Sequence, residues 1–307
     1  MVDSYMWGKV DRISPEAPIP IISINNKDNR LGGAANVGLN LKALGAEPII
    51  CAVVGKDSMG DEFKSLIKKD GITDKGIISS EHRPTTVKTR IISQGQQLIR
   101  VDEEVTRKLH EEIEHEFIEQ VKTIIIDDNP EAIIFQDYDK GVITPVLIEE
   151  VVCIARDHDI PVLVDPKKKN FKHYKNVQLF KPNFKELVEG MKIEANKEDV
   201  VSIFKAVKKL HDKNHINLVM VTLSEAGIFI SDGEHFNTLP AEIRDISDVS
   251  GAGDTVISVA CLCLIANIDP LDVAAISNIA GGLVCEKVGV VPIDKHQLLD
   301  ECLEAYS

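Results

Sequence analysis

The sequence predicts an α/β protein with a mostly parallel central sheet, flanked by helices, and a small antiparallel β lid. Three observations carry this. From about Glu131, short apolar runs alternate with helical stretches, the pattern of a sheet covered on both faces. Two extended segments meet around Gln94-Gly95-Gln96, a hairpin signal that does not fit the alternation. The 307 residues are enough for one large α/β domain and too few for two full enzyme domains.

Taken in order, Ile19–Ile24 reads as a short strand. Gly32–Leu44 reads as a helix opened by glycines and stopped by Gly45. Ile49–Val54, between Pro48 and Gly55, reads as a buried strand. Val87–Ser93 and Gln97–Asp102 form the hairpin. The expected strands of the main sheet are Ala132–Phe135, Pro161–Asp165, Val177–Phe180 and Leu218–Thr222. Pro145–His158 and Lys197–Asn214 are the helices between them, and Gly251–Ala266, Pro270–Lys287 and Asp294–Ala305 close the chain as helices. The expected lid comprises segments of about 9–30 and 84–104 on a single domain over 1–307, placed to exclude water from a reaction.

The formal net charge of −14 repels nucleic acid and anionic lipid, so neither is an expected partner, and a phosphorylated ligand needs a local basic pocket. Six scattered cysteines without a C-x-x-C pair read as reduced core residues of a cytoplasmic protein. Neither a membrane-length apolar run nor a signal peptide is expected.

The chemistry concentrates in Asp248-Val-Ser-Gly251-Ala252-Gly253-Asp254-Thr255. Small residues at a helix start let backbone approach a ligand, and free N–H groups there favour an anion such as a transferring phosphoryl group. Asp254 beside them is a candidate base for a hydroxyl proton. A lone Gly-x-Gly-Asp fits a plain capped helix equally well, and Gly32-Gly33-Ala34-Ala35-Asn36 alone fits a glycine-rich turn into a helix. The two together change that balance. No Gly-Lys-Ser/Thr follows the second, so it is not a Walker loop.

Together these stretches resemble the two motifs of the PfkB, ribokinase-like carbohydrate kinases, with Val249 where that family commonly has Thr. Lys181-Pro-Asn183-Phe-Lys-Glu186 resembles the family's Asn-x-x-Glu element, although Asn183 also suits a plain N-cap. The resemblance spans nearly the whole chain. It implies ATP and Mg²⁺, with Gly251, Ala252, Gly253 and Asp254 catalytic. It implies Asp3, Gly32, Gly33 and Asn36 at the sugar, and Asn183 and Glu186 at the phosphates, Glu186 reaching the metal through water. Thr222, Ser224 and Gly227 would approach the nucleotide. Asn278 would lie near the adenine, or equally be a partly buried helix polar group.

Val10–Pro20, Gln96–Asp102 and Val2–Gly8 further resemble kinases that phosphorylate D-glycero-D-manno-heptose 7-phosphate at O1, giving the 1,7-bisphosphate on the route to ADP-heptose and the lipopolysaccharide core. A phosphorylated sugar needs cations, and Arg12, Arg100, Lys140 and Lys167 lie in the matching segments; Gln97 is a further substrate-binding candidate, and Asp137 a weaker sugar or metal-network candidate. Lys168 and Lys169 read as solvated surface charges. Other PfkB kinases, for ribose, fructose or a fructose phosphate, and a non-catalytic sugar-phosphate-binding protein are the alternatives. Two departures stand out: the sequence begins at Met1 inside the segment of the family's first strand, so that strand is either absent or only partly included, and its absence would leave a sheet edge unpaired and Asp3 less anchored; and no His-x-Gly-His occurs, so only phosphorylation is expected. Lids of this type lead to an expected homodimer.

Overall fold

The computed structural model describes residues 1–242 and 244–306. A six-stranded sheet runs in the order β12-β11-β10-β9-β8-β7. Its parallel half is β7 (Ile133–Gln136), β8 (Val162–Asp165), β9 (Leu179–Phe180) and β10 (Leu218–Thr222); β11 (Ile228–Ser231) and β12 (Phe236–Leu239) return antiparallel at one edge. Period-two alternation assigns the faces. Val162, Val164, Val219, Val221 and Phe229 point into one core. That core is covered by α3 (Glu111–Asp128), α4 (Pro145–Asp157), α5 (Phe184–Met191) and α6 (Val200–Asn214). Leu163, Leu218, Met220, Ile228 and Ile230 point into the other. There α1 (Ala34–Ala43), α7 (Ala252–Ile265) and α8 (Pro270–Cys285) pack, with α9 (Lys295–Ala305) behind α8. This is the three-layer arrangement expected.

Beside it, β3 (Ala52–Gly55) and β4 (Ile77–Ser80) pair in parallel, linked by α2 (Ser58–Lys69). A third sheet has the order β2-β1-β5-β6, made of β1 (Val2–Ile13), β2 (Pro20–Leu31), β5 (Val87–Ser93) and β6 (Gln96–Glu103). Its hairpins are antiparallel, but β1 and β5 run parallel, because the chain crosses through α1, β3, α2 and β4 before returning. Val2, Leu31 and Val87 root this lid in a core shared with α1, α2 and β3.

The lid therefore begins at Val2, not near residue 9. The feared loss of anchorage at Asp3 is corrected as well: Asp3 sits on β1, pairs in register with Lys88 of β5, and is buried against Arg90. Alternation is invisible at the start of β1 because Val2 through Tyr5 are all buried. The helices α2 and α3 have no counterpart among the sequence expectations.

The helix starts differ in a way that matters for the site. Side chains cap α2 (Asp57), α4 (Thr144), α5 (Asn183), α6 (Asp199), α8 (Asp269) and α9 (Asp294). By contrast, α1 and α7 open on Gly33 (φ 61°) and Gly251 (φ 87°), with no side-chain cap. A positive φ suits glycine, and with no side-chain cap the first turns are only partly satisfied by backbone: Asn36 N donates to Gly33 O at 2.9 Å, and Ala252 N reaches Val249 O only at 3.4 Å.

Candidate active site

The uncapped starts of α1 and α7 converge on Asp254, in the first turn of α7. Its Oδ2 accepts from Asn36 Nδ2 at 2.8 Å. Its Oδ1 accepts from Tyr138 OH at 2.8 Å and Gln136 Nε2 at 3.0 Å. Burial pushes this carboxyl up to about 6; the bonds from Asn36 and Tyr138 pull the other way, and the nearby Asp165 charge adds to the rise. A buried carboxylate titrating near neutrality is suited to taking a proton at physiological pH.

One buried ammonium, paired with a carboxylate, stands beside the α7 amides. Lys181 Nζ pairs with Asp165 Oδ2 at 3.0 Å, both side chains almost fully buried, and Gln136 Nε2 also donates to that oxygen at 3.1 Å. A Cβ on Gly253 would lie 3.6 Å from Lys181 Nζ and 3.7 Å from Asp165 Oδ2, so the glycine leaves an open cradle between amide and ammonium. A Cβ on Gly251 would come within 3.0 Å of Asn36 Nδ2, so there glycine is required by both φ and contact. Ala252 is the first residue of α7 between them.

Two further polar atoms face no partner among the described residues: Asn36 Oδ1 and Gln136 Oε1 are buried acceptors without a hydrogen bond. Unpaired buried acceptors flanking a base suit a ligand rich in hydroxyl donors. Gly32 lies against Asp3, where a Cβ would meet Asp3 Oδ2 at 2.0 Å, and Gly33 lies against Tyr138. Asp3, Gly32, Gly33, Asn36 and Asp254 are thus brought to one place.

A second group forms at the C-terminal ends of β9 and β10. Asn183 and Glu186 make a reciprocal capping box at 2.8 Å each way, and the other Glu186 oxygen holds Lys167. Lys167 also lies 5.8 Å from the Tyr138 ring centroid, which ties this group to the first. Asn183 bridges Thr222, the last residue of β10. Ser224 follows at a positive φ of 56°. Gly227 packs against the 239–241 backbone, and Asn278 donates to Pro240 O at 2.8 Å.

Other expected residues lie elsewhere. Arg12, Gln97 and Arg100 are exposed on the lid, Arg100 pairing with Asp102 of its own strand at 2.9 Å. Lys140 is held by Glu104 at 2.6 Å. Asp137 is turned into a separate buried network, accepting from Asp139 N, Asn170 Nδ2 and Tyr174 OH. The geometry gives it a locking role in the 137–141 loop rather than that of a ligand for sugar or metal.

Sequence reasoning missed Gln136, Tyr138, Asp165 and Lys181 as site residues. The available signal was position: Gln136 and Asp165 end β7 and β8, and Lys181 follows β9, all at the carboxyl edge of a parallel sheet where such folds bind ligands.

Residues 5–296 match the pfkB family carbohydrate kinase. The chain is 37% identical over 294 residues to bifunctional protein HldE of Helicobacter pylori, covering 94% of this chain and 62% of that protein. It is also 37% identical over 301 residues to bifunctional protein HldE of Methylobacillus flagellatus, covering 98% and 61%. The chain thus spans about three fifths of the length of these relatives. Among solved structures, Escherichia coli phosphofructokinase-2 in complex with potassium is similar with a TM-score of 0.82 at 18% identity, covering 100% of this chain and 96% of that one. Arabidopsis thaliana ribokinase complexed with ribose and ATP is similar with a TM-score of 0.74 at 17% identity, covering 97% and 95%.

Proposed function

Because the chain belongs to the pfkB family of carbohydrate kinases, we propose that it transfers the γ-phosphate of ATP to O1 of D-glycero-D-manno-heptose 7-phosphate. The observation that carries this is the buried Asp254 carboxylate, raised to about 6, beside the uncapped amides of Gly251, Ala252 and Gly253.

In the proposed reaction the sugar lies over Gly32, Gly33 and Asn36, with hydroxyls donating to Asn36 Oδ1, Gln136 Oε1 and Asp3. Asp254 takes the O1 proton as O1 bonds to the γ-phosphorus and the bond to the β-phosphate oxygen breaks, releasing ADP. The 251–253 amides and Lys181 face the charge that develops on the transferring group. Thr222, Ser224, Gly227 and Asn278 flank the nucleotide. Arg12, on the lid, has no ion pair among the described residues and suits the 7-phosphate; Gln97 and Arg100 lie on the same lid.

Magnesium fits only together with the nucleotide. Among the described residues no group of three or more acidic, His or Cys side chains would hold a metal alone. Glu186 keeps free lone pairs for a bridging water after binding Lys167 and Asn183 N. The ion would neutralise phosphate charge there.

The lid also supports a homodimer. Ile13, Ile19, Ile24, Leu98, Ile99 and Val101 are exposed on it, an apolar surface that a second copy would cover. No described helix is long and apolar enough to cross a membrane.

The test is ADP release with a panel of sugars. Heptose 7-phosphate should exceed fructose 6-phosphate, fructose and ribose by orders of magnitude in kcat/KM. A better turnover of any of these three overturns the substrate, and no ADP release with any sugar overturns the reaction.

A further inference from the structure

A cavity of about 310 Å³ shares no lining residue with the Asp254 cluster. It lies where β3 and β4 end, at Gly55 and Ser80, the carboxyl edge of a parallel pair. Its volume is at the lower end of the ~300–1,000 Å³ typical of small-molecule sites.

Its lining is cationic in a chain of net charge −14. Lys56, Arg83 and Arg107 face it with His82, against two carboxylates, Asp57 and Glu81. Both carboxylates are already engaged. Glu81 pairs with Lys56 at 2.5 Å. Asp57 caps α2 through Gly60 N and accepts from Thr85 N and Thr85 Oγ1. That leaves the two arginines. Arg83 is only 8% exposed, and burial followed by the like charge of Arg107 disfavours its charged form. Arg83 Nη2 donates to Lys140 O and Arg107 Nη2 to His82 O; among the described residues neither guanidinium is in an ion pair. Asp57 keeps its charge, since its donors are neutral, but it pairs with neither guanidinium; burying one guanidinium beside another without an ion-pair partner is costly, and an anion in the cavity offsets that cost.

We propose that this cavity is a second anion site, taking the phosphoryl group of a small phosphorylated metabolite between Arg83 and Arg107. The guanidinium fork matches such a group, and the remaining volume takes a compact body attached to it. The site also has a route to the chemistry. Arg83 holds the Lys140 carbonyl, Leu109 N donates to Gly141 O at 3.2 Å, and the same 137–141 loop carries Tyr138 to Asp254. An anion that repositions Arg83 acts on that loop, so occupancy alters the rate of the kinase without entering its active site.

The experiment is calorimetric titration of inorganic phosphate into the full chain and into R107Q and R107E, both at an exposed position, with kinase kinetics run alongside. Wild type should bind one phosphate that both variants bind at least tenfold more weakly, while their kcat and KM without added phosphate stay within twofold of wild type. Equal phosphate binding in all three, or none in wild type, overturns the site. A tenfold rise in the sugar KM of R107Q overturns its separateness, because the cavity then belongs to the substrate.

Discussion

Asn36 Nδ2 donates to Asp254 Oδ2 at 2.8 Å, joining the first turns of α1 and α7 across 218 positions of sequence. The bond favours the charged carboxylate and so opposes the burial that raises Asp254 to about 6. Removing it in Asn36→Ala should move the acid limb of the kcat/KM profile to higher pH by on the order of one unit. An unmoved limb with an unchanged plateau would show that Asn36 does not tune the base.

Asp254→Asn should lower kcat by roughly 10²–10⁴ while leaving nucleotide binding in place. It also has a stability signature with a definite sign. The folded carboxyl, at about 6, holds a proton that the unfolded chain has released above its ordinary value of 3.8. Wild-type stability from this group is therefore full below pH 4 and lost as pH rises toward 6. Denaturant unfolding at pH 4 and pH 7.5 should show the variant gaining on wild type by up to about 3 kcal/mol, two units at 1.36 kcal/mol each. A gap independent of pH contradicts the raised value.

The two cradle glycines should fail differently. Gly251→Ala strains a positive φ and crowds Asn36, so it should lose roughly 1 kcal/mol or more of stability together with activity. Gly253→Ala has ordinary contact distances to Lys181 and Asp165, so it should fold like wild type yet narrow the phosphoryl cradle and lower kcat on the order of 10². Thermal unfolding and steady-state rates separate the two cases.

Lys181→Met leaves Asp165 buried without its cation and should cost about 3–5 kcal/mol. Adding Asp165→Asn should recover much of that stability and none of the activity. Recovery of both would reduce the pair to a structural role.

Ile99→Lys with Leu98→Lys should convert the proposed dimer to monomer, read by light scattering. An unchanged mass would place any association elsewhere.

Much of the main sheet was legible because a run such as Val162–Asp165 is apolar on both faces and bounded by turn residues. Asp254 and Asn36 were legible because glycines before a helix carry a backbone meaning. The residues closing the site were not, and the pair Asp137 and Tyr138 shows why. At the end of β7 successive side chains leave on opposite sides, so Gln136 and Tyr138 reach Asp254 while Asp137 reaches Asn170 and Tyr174. Reading Asp137 by residue type chose the more acidic neighbour; counting alternate positions onward from Gln136, the last residue of β7, would have chosen Tyr138. Lys181 was hidden for another reason: a buried ammonium depends on Asp165, a partner that only the neighbouring strand supplies.

The register of β1 carries one more consequence. Its parallel pairing with β5 ends at Gly8, and from there to Ile13 only β2 supports it. A Cβ at Gly8 would meet Ser23 O at 2.5 Å, and irregular pairing falls at Trp7/Gly8 and again at Val10/Arg12. A two-stranded ribbon held on one side twists and flexes more readily than the sheet it springs from. Gly8 therefore marks where β1 passes from a half paired on both sides, bearing Asp3, to a two-stranded ribbon bearing Arg12.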